Sequence, residues 1–194
     1  MQSNQKVSTV IEELTESGFV SKYQAHGKKL FDSLYRLSDE YSYFYLSFIE
    51  QNKNQGSNTW KKIQQSNTFR IWSGFTFETL CLKHVDQIKK DLNIEVIIST
   101  NDSWFNDKAQ IDLLIDRDDG CVNICEMKFY NAPFKIDAGY VKRLRIKMDE
   151  FKIATRTKKS FFLTMITTFG VVANKHSLEI MDKELTMECL FVEL

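Results

Sequence analysis

Asp112, Glu126 and Lys128 are the residues whose types and spacing could do chemistry. They sit in the segments A-Q-I-D-L-L-I-D (109–116) and V-N-I-C-E-M-K-F (122–129). Side chains alternate across a strand. Ile124, Glu126 and Lys128 therefore share one face of the later strand, and Cys125, Met127 and Phe129 the other. On the earlier strand the alternation predicts Ile111, Leu113 and Ile115 together, with Gln110 and Asp112 opposite. Paired as a hairpin, the strands collect Gln110, Asp112, Glu126 and Lys128 on one sheet face amid apolar neighbours. An isolated carboxylate in such a place costs several kcal/mol unless it is paired or binds a cation. Two neighbouring acids repel, and a divalent ion between them relieves that. Hard oxygen ligands suit Mg²⁺ or Mn²⁺. A lysine beside such an ion would orient a water or balance charge at phosphorus. The same residues also fit a plain reading: a solvated Asp112 and a Glu-x-Lys salt bridge on an edge strand, worth under about 1 kcal/mol.

The elements that must hold these residues are legible in the pattern. A long helix is predicted over 68–92, with Ile71, Phe75, Glu78, Leu82 and Val85 along one side. Strands are predicted over 94–100, 109–117 and 121–130, the last two joined by the turn Asp118-Asp119-Gly120. Pro133 interrupts the chain, and a helix over 137–155 places Tyr140, Leu144, Met148 and Phe151 on one face. A fourth strand follows over 160–168, with short strand-like pieces at 178–181 and 187–192. Ahead of this block, Val7, Val10, Ile11 and Leu14 form one helical stripe that Gly18 ends. Strand-like pieces at 19–23 and 29–37 flank the turn His26-Gly27-Lys28, and Ser38 or Asp39 caps an aromatic helix, EYSYFYLSFIEQN. The polar stretch 51–58 reads as a linker, giving segments 1–54 and 59–194. Helix, hairpin and helix in this order read as the back half of a winged helix. The stripe of its first helix has nothing before it to pack on, so a second chain, or more of a longer one, is expected to cover it.

Composition sets the outer limits. The chain has 194 residues, with 26 Lys plus Arg against 26 Asp plus Glu. That balance excludes a globally basic nucleic-acid coat. Charge is nevertheless concentrated: nine basic residues against three acidic ones lie between Lys135 and Lys159. Lys142, Arg143, Arg145 and Lys147 are the expected phosphate contacts there, the alternative being a solvated helix face. The four cysteines form no C-x-x-C pair, and Cys81 with His84 supplies two ligands where a structural zinc takes four. Free thiols, no signal peptide and no membrane-length apolar run lead to the expectation of a cytoplasmic protein. Trp72 is expected in a helix core, while Trp60 and Trp104 are open to packing or stacking.

The stretches D112-LLI and ICE126-M-K128 resemble the core of the PD-(D/E)XK nuclease superfamily. The succession helix, three strands, helix, strand from 68 to 168 is similar to that superfamily's common core. More narrowly, LTESGFV, LYRLSDEYSYFYLSFIE, W72-S-G74-F-T-F77-E78, A109-QIDLLIDR and K158-K159 resemble the C-terminal region of a prokaryotic P-loop ATPase family. That region is a winged helix followed by a PD-(D/E)XK-like domain. The resemblance implies an α/β restriction-endonuclease-like core with a mixed central sheet flanked by helices, preceded by a partial winged helix. It implies Mg²⁺ or Mn²⁺ held by Glu78, Asp112 and Glu126, with Lys128 as the catalytic lysine and DNA as substrate. A non-catalytic docking module of such an ATPase is the alternative it leaves open. The sequence departs from the pattern in three places. Ile111 stands where Pro often precedes the Asp, Tyr140 lacks the glutamine that accompanies it in some relatives, and no G-x-x-x-x-G-K-[ST] occurs. A fragment of a longer ATPase, or a truncated product, is therefore expected, with an ATPase domain or another chain as neighbour of the N-terminal helix and no membrane contact.

Overall fold

A computed structural model describes residues 2–23, 25–27, 34–56 and 58–194. The chain divides into two compact units. One runs to Thr76 without 25–27; the other is Ala25–Gly27 with Phe77–Leu194.

The first unit opens with helix α1 (Gln2–Glu16). Gly18 ends it at φ +78°, its N–H donating to Thr15 and that of Phe19 to Leu14, which closes the last turn as a Schellman cap. Val7, Val10 and Leu14 of the helical stripe are exposed. Strands β1 (Val20–Tyr23) and β2 (Leu34–Leu37) pair antiparallel, Val20 opposite Leu37. Gly27 of the predicted turn has φ +73°, while Lys28 lies outside the described residues. Asp39 caps helix α2 (Glu40–Phe44) by accepting from the Ser42 N–H, and a π-helical turn (Tyr45–Ile49) and a 3-10 turn (Glu50–Asn52) continue it. Helix α3 (Thr59–Gln64) and the start of α4 (Asn67–Lys83) complete the unit. Phe44, Phe48, Trp60, Phe69 and Trp72 pack ring on ring there, so both tryptophans serve packing.

The second unit is an α/β sandwich on a five-stranded mixed sheet in the order β3-β4-β5-β6-β7. Strands β3 (Ser99–Phe105), β4 (Gln110–Arg117) and β5 (Cys121–Lys128) form an antiparallel meander. Gly120 turns β4 into β5 at φ +82°. Helix α6 (Ala138–Thr155), capped by Asp137, carries the chain across to β6 (Ser160–Thr167), parallel to β5. Helix α7 (Lys175–Ile180) leads to β7 (Lys183–Thr186), parallel to β6. One sheet face packs Leu113, Ile115, Cys125 and Met127 on Phe77 and Cys81 of α4 and Val85 and Ile88 of α5 (Val85–Asp91). The other packs Leu114, Ile124, Leu163 and Met165 on Tyr140, Val141, Leu144 and Phe151 of α6. Trp104 sits in this second layer, edge-on to Phe151.

Four expectations need correction. The helix predicted over 68–92 breaks at His84, whose N–H reaches back only three residues to Cys81 and whose Nδ1 lies 2.8 Å from the Leu80 carbonyl. Its buried side is Phe77, Cys81, Val85 and Ile88, while Ile71 and Phe75 are exposed. The first sheet strand is 99–105, not 94–100. Asn93 (φ +58°) and Ile94 close α5 by donating to Lys90 and Lys89, so Ile94 belongs to the helix end, Val96 and Ile98 are exposed, and the polar edge strand follows. At the C-terminus, Asn174 accepts from the His176 and Ser177 N–H groups in a capping box and turns 175–180 into a helix. Residues 187–191 form a 3-10 turn that buries Cys189 and Leu190. Lastly, Asp102 pairs with Leu114 but Trp104 with Ile111, so β4 holds one residue more than β3 over the same span. That bulge, Asp112 and Leu113 against Ser103, moves Ile111 to the α6 side, apart from Leu113 and Ile115.

Candidate active site

The last pair recorded between β4 and β5 is Leu113 with Cys125. Asp112 and Glu126 are thus the next residues on each strand where the ladder ends. Glu126 is 3% exposed and Asp112 8%, which removes the reading of Asp112 as solvated. The bulge sets Asp112 and Leu113 against Ser103; Asp112 keeps the face of Leu114, in step with Glu126, and the side chain re-aimed is Ile111. Gln110 Nε2 donates to Asp112 Oδ1 at 3.3 Å.

Glu126 is held through both of its oxygens. Its Oε1 accepts from Lys128 Nζ at 3.0 Å and from the Tyr140 hydroxyl at 2.7 Å, and its Oε2 accepts from Lys147 Nζ. Burial works against its charge, yet the two ammonium groups and the phenol outweigh it and hold its carboxyl below the ordinary range. Burial likewise opposes the charge of Lys128, but the carboxylates of Glu126, Asp112 and Glu78 hold its ammonium above the ordinary range. Glu78, on α4, therefore belongs to the same electrostatic neighbourhood. Tyr140 is pushed up by burial, then by Glu126 and Asp112, so its hydroxyl stays protonated and donates. Arg143 lies 4.8 Å over the Tyr140 ring.

The predicted phosphate contacts of α6 separate into different places. Lys142 and Arg143 are exposed. Arg145 is paired with Glu179. Lys147 points into the site and bonds Glu126. Residue type hid this: only the helix phase Tyr140, Leu144, Lys147 against the sheet separates Lys147 from its basic neighbours. Thr167 was also missed. It pairs in register with Lys128, and its buried hydroxyl has no hydrogen-bond partner.

Among the described residues, Glu78, Asp112 and Glu126 do not form a group of three or more ligands at metal-binding spacing. The oxygens that are present still suit a hard cation. Two buried carboxylates and the orphaned Thr167 hydroxyl match the way Mg²⁺ takes one or two carboxylates and completes its shell with water and phosphate.

Residues 40–143, more than half of the chain, match the family DUF234, described as archaeal and bacterial proteins of unknown function, and the chain belongs to that family. No curated protein and no solved structure matches it. No helix of the described residues is long and apolar enough to cross a membrane.

Proposed function

We propose that the second unit hydrolyses phosphodiester bonds of DNA as a PD-(D/E)XK-type, Mg²⁺- or Mn²⁺-dependent nuclease. The observation that carries this reading is the Lys128 ammonium, 3.0 Å from Glu126 and in the field of Asp112 and Glu78, at the open end of the β4/β5 ladder. The order α4, β3 to β5, α6, then β6 parallel to β5 supports it as the expected core topology.

In the proposed reaction, Asp112 and Glu126 would hold the cation, with Glu78 adding negative field and Thr167 offering a neutral oxygen. A bound divalent ion would supply Lewis-acid stabilisation of phosphoryl charge and a more acidic water. Lys128 donates from Nζ to the attacking water or to a non-bridging phosphate oxygen. Water oxygen bonds phosphorus, one P–O ester bond breaks, and the water's proton ends on the departing alkoxide through solvent. Tyr140 keeps its proton and fixes the rotamer of Glu126 through Oε1, a positioning role. The reading goes with a cytoplasmic setting and with an ATPase domain or another chain beside α1, where the exposed Val7, Val10 and Leu14 support such a neighbour.

A second reading, a docking module without catalysis, is favoured by one observation: Glu126 already accepts from two ammonium groups and a phenol, as in a purely structural ion-pair cluster. Supercoiled plasmid and a labelled single strand, incubated with Mg²⁺ or Mn²⁺, distinguish them. Cleavage of either by the wild type that Lys128→Ala slows at least about 100-fold supports the nuclease. Wild-type protein that binds DNA yet leaves it intact with both metals supports the module.

A further inference from the structure

The chain after Lys128 does not return to the core at once. Phe129 and Tyr130 follow it directly, and Tyr130 is 54% exposed. The Tyr130 N–H donates to Thr168 Oγ1 at 3.0 Å, the Phe134 N–H to the Gly170 carbonyl, and the Val172 N–H to the Phe134 carbonyl. The segment after β5 is thereby laced to the segment after β6, which carries Phe169 at 58% exposure. The rings form a continuous path into the site. Tyr130 meets Phe134 edge-on at 5.9 Å, Phe134 meets Tyr140 at 5.1 Å, and Tyr140 bonds Glu126. Arg143, 4.8 Å over the Tyr140 ring, sets a cation beside this path, and Lys135 follows Phe134 and Lys142 precedes Arg143 in the chain, all three exposed.

Exposed rings on backbone-fastened loops, bordered by cations and ending at a carboxylate–lysine site, match one class of ligand. Unpaired bases stack on aromatic faces while their phosphates follow the positive edge. Duplex DNA keeps its bases inside the stack and offers these rings nothing to stack on. We infer that the site takes single-stranded polynucleotide, or a frayed or flapped end, with bases on Tyr130 and Phe169 and phosphates along Lys135, Lys142 and Arg143. This rests on the proposed nuclease reading for what happens at Lys128, but not for binding.

The test therefore measures binding first, without metal, by anisotropy of a fluorescein-labelled oligodeoxynucleotide, single-stranded and annealed to its complement. An oligoribonucleotide of the same sequence separates DNA from RNA as the source of the single strand. Wild type is expected to hold a single strand at least tenfold more tightly than duplex. Tyr130→Ala and Phe169→Ala are each expected to weaken single-strand binding about tenfold, with duplex binding unchanged. Tyr130→Phe and Phe169→Tyr, which keep a ring, should retain it, and melting curves confirm that the alanine variants fold. Equal affinity for both forms, no binding of either, or alanine variants that bind single strands as wild type does would each overturn the inference. Mg²⁺-dependent cleavage of the same labelled single strand and of its duplex, measured in parallel, keeps its fate separate from that of the nuclease reading: loss of strand preference with cleavage intact sinks only the stacking, and strand preference with neither form cleaved sinks only the chemistry.

Discussion

Lys147 donates its ammonium to the Oε2 oxygen of Glu126, the oxygen that Lys128 and Tyr140 leave open. A lysine held in that way is not available to a passing phosphate, whereas Lys142 and Arg143 are exposed. The consequence is measurable in the salt dependence of DNA binding. Each neutralised phosphate contributes close to one unit to the slope of log K against log salt. Lys142→Ala and Arg143→Ala are expected to lower that slope by about one each. Lys147→Met, which keeps the apolar stem, should leave it unchanged, as should Arg145→Ala, whose guanidinium is paired with Glu179.

Removing donors from Glu126 should destabilise the fold in proportion to what is left unpaired. Tyr140→Phe deletes one buried hydroxyl donor to a carboxylate and is expected to cost about 1–3 kcal/mol. Glu126→Gln leaves Lys128 and Lys147 facing each other without their shared anion and should cost more, about 3–5 kcal/mol. Urea unfolding midpoints at constant m-value would rank the two. A Glu126→Gln protein as stable as wild type would mean that the ion cluster contributes nothing net.

The same cluster sets a pH window. Glu126 is depressed in the folded state, so its contribution is complete above the ordinary carboxylate range and is lost as pH falls through the lowered folded value. Lys128 is raised, so its contribution is complete below the ordinary lysine range and is lost as pH climbs through the raised folded value. Melting temperature should therefore be flat between roughly pH 5 and pH 9 on this account. Glu126→Gln should lose the acid-side decline that this carboxyl causes.

Three thiols supply an independent test on the opposite sheet face. Burial pushes Cys125 and Cys189 up to about 12, and Cys81 rises as well, by burial and then by its neighbours Cys189 and Cys125. Their contribution is present below the ordinary thiol range and is lost as pH rises toward 12, because the unfolded chain ionises there and the folded one resists. Near neutral pH a maleimide should label Cys121 in the native protein, and Cys81, Cys125 and Cys189 only after urea is added. Native labelling of Cys125 would contradict the packing of α4 on the sheet.

The central strands were legible because their chemistry is local. Val122, Ile124 and Met127 advertise a buried strand, and Gly120 marks the only tight turn that joins it to β4. Asp137 likewise announces α6 as its cap. The edges were not legible. β3 and β7 are polar and exposed along much of their length, so they stand by backbone pairing with β4 and β6, which leaves no hydrophobic period. Within the site, Asp112, Glu126 and Lys128 follow from type and spacing. Lys147 and Thr167 do not, because their membership depends on helix phase and on a parallel partner nearly forty positions away. Ile111 changed sides for a related reason: a bulge is a matter of what the neighbouring strand does, and nothing in Q-I-D-L-L announces it.

That inserted residue has a further bearing on how the domain tolerates length changes. A β-strand behaves like a two-stroke counter, and β4 skips one stroke at Asp112 and Leu113. Trimming Leu113 would restore even counting and carry the acid to the wrong wall of the sheet while leaving composition, charge and most of the core intact. The side that Ile111 takes is thus stored in a miscount rather than in any side chain, and a protein engineer moving this strand into another scaffold would have to transplant the irregularity along with the residues.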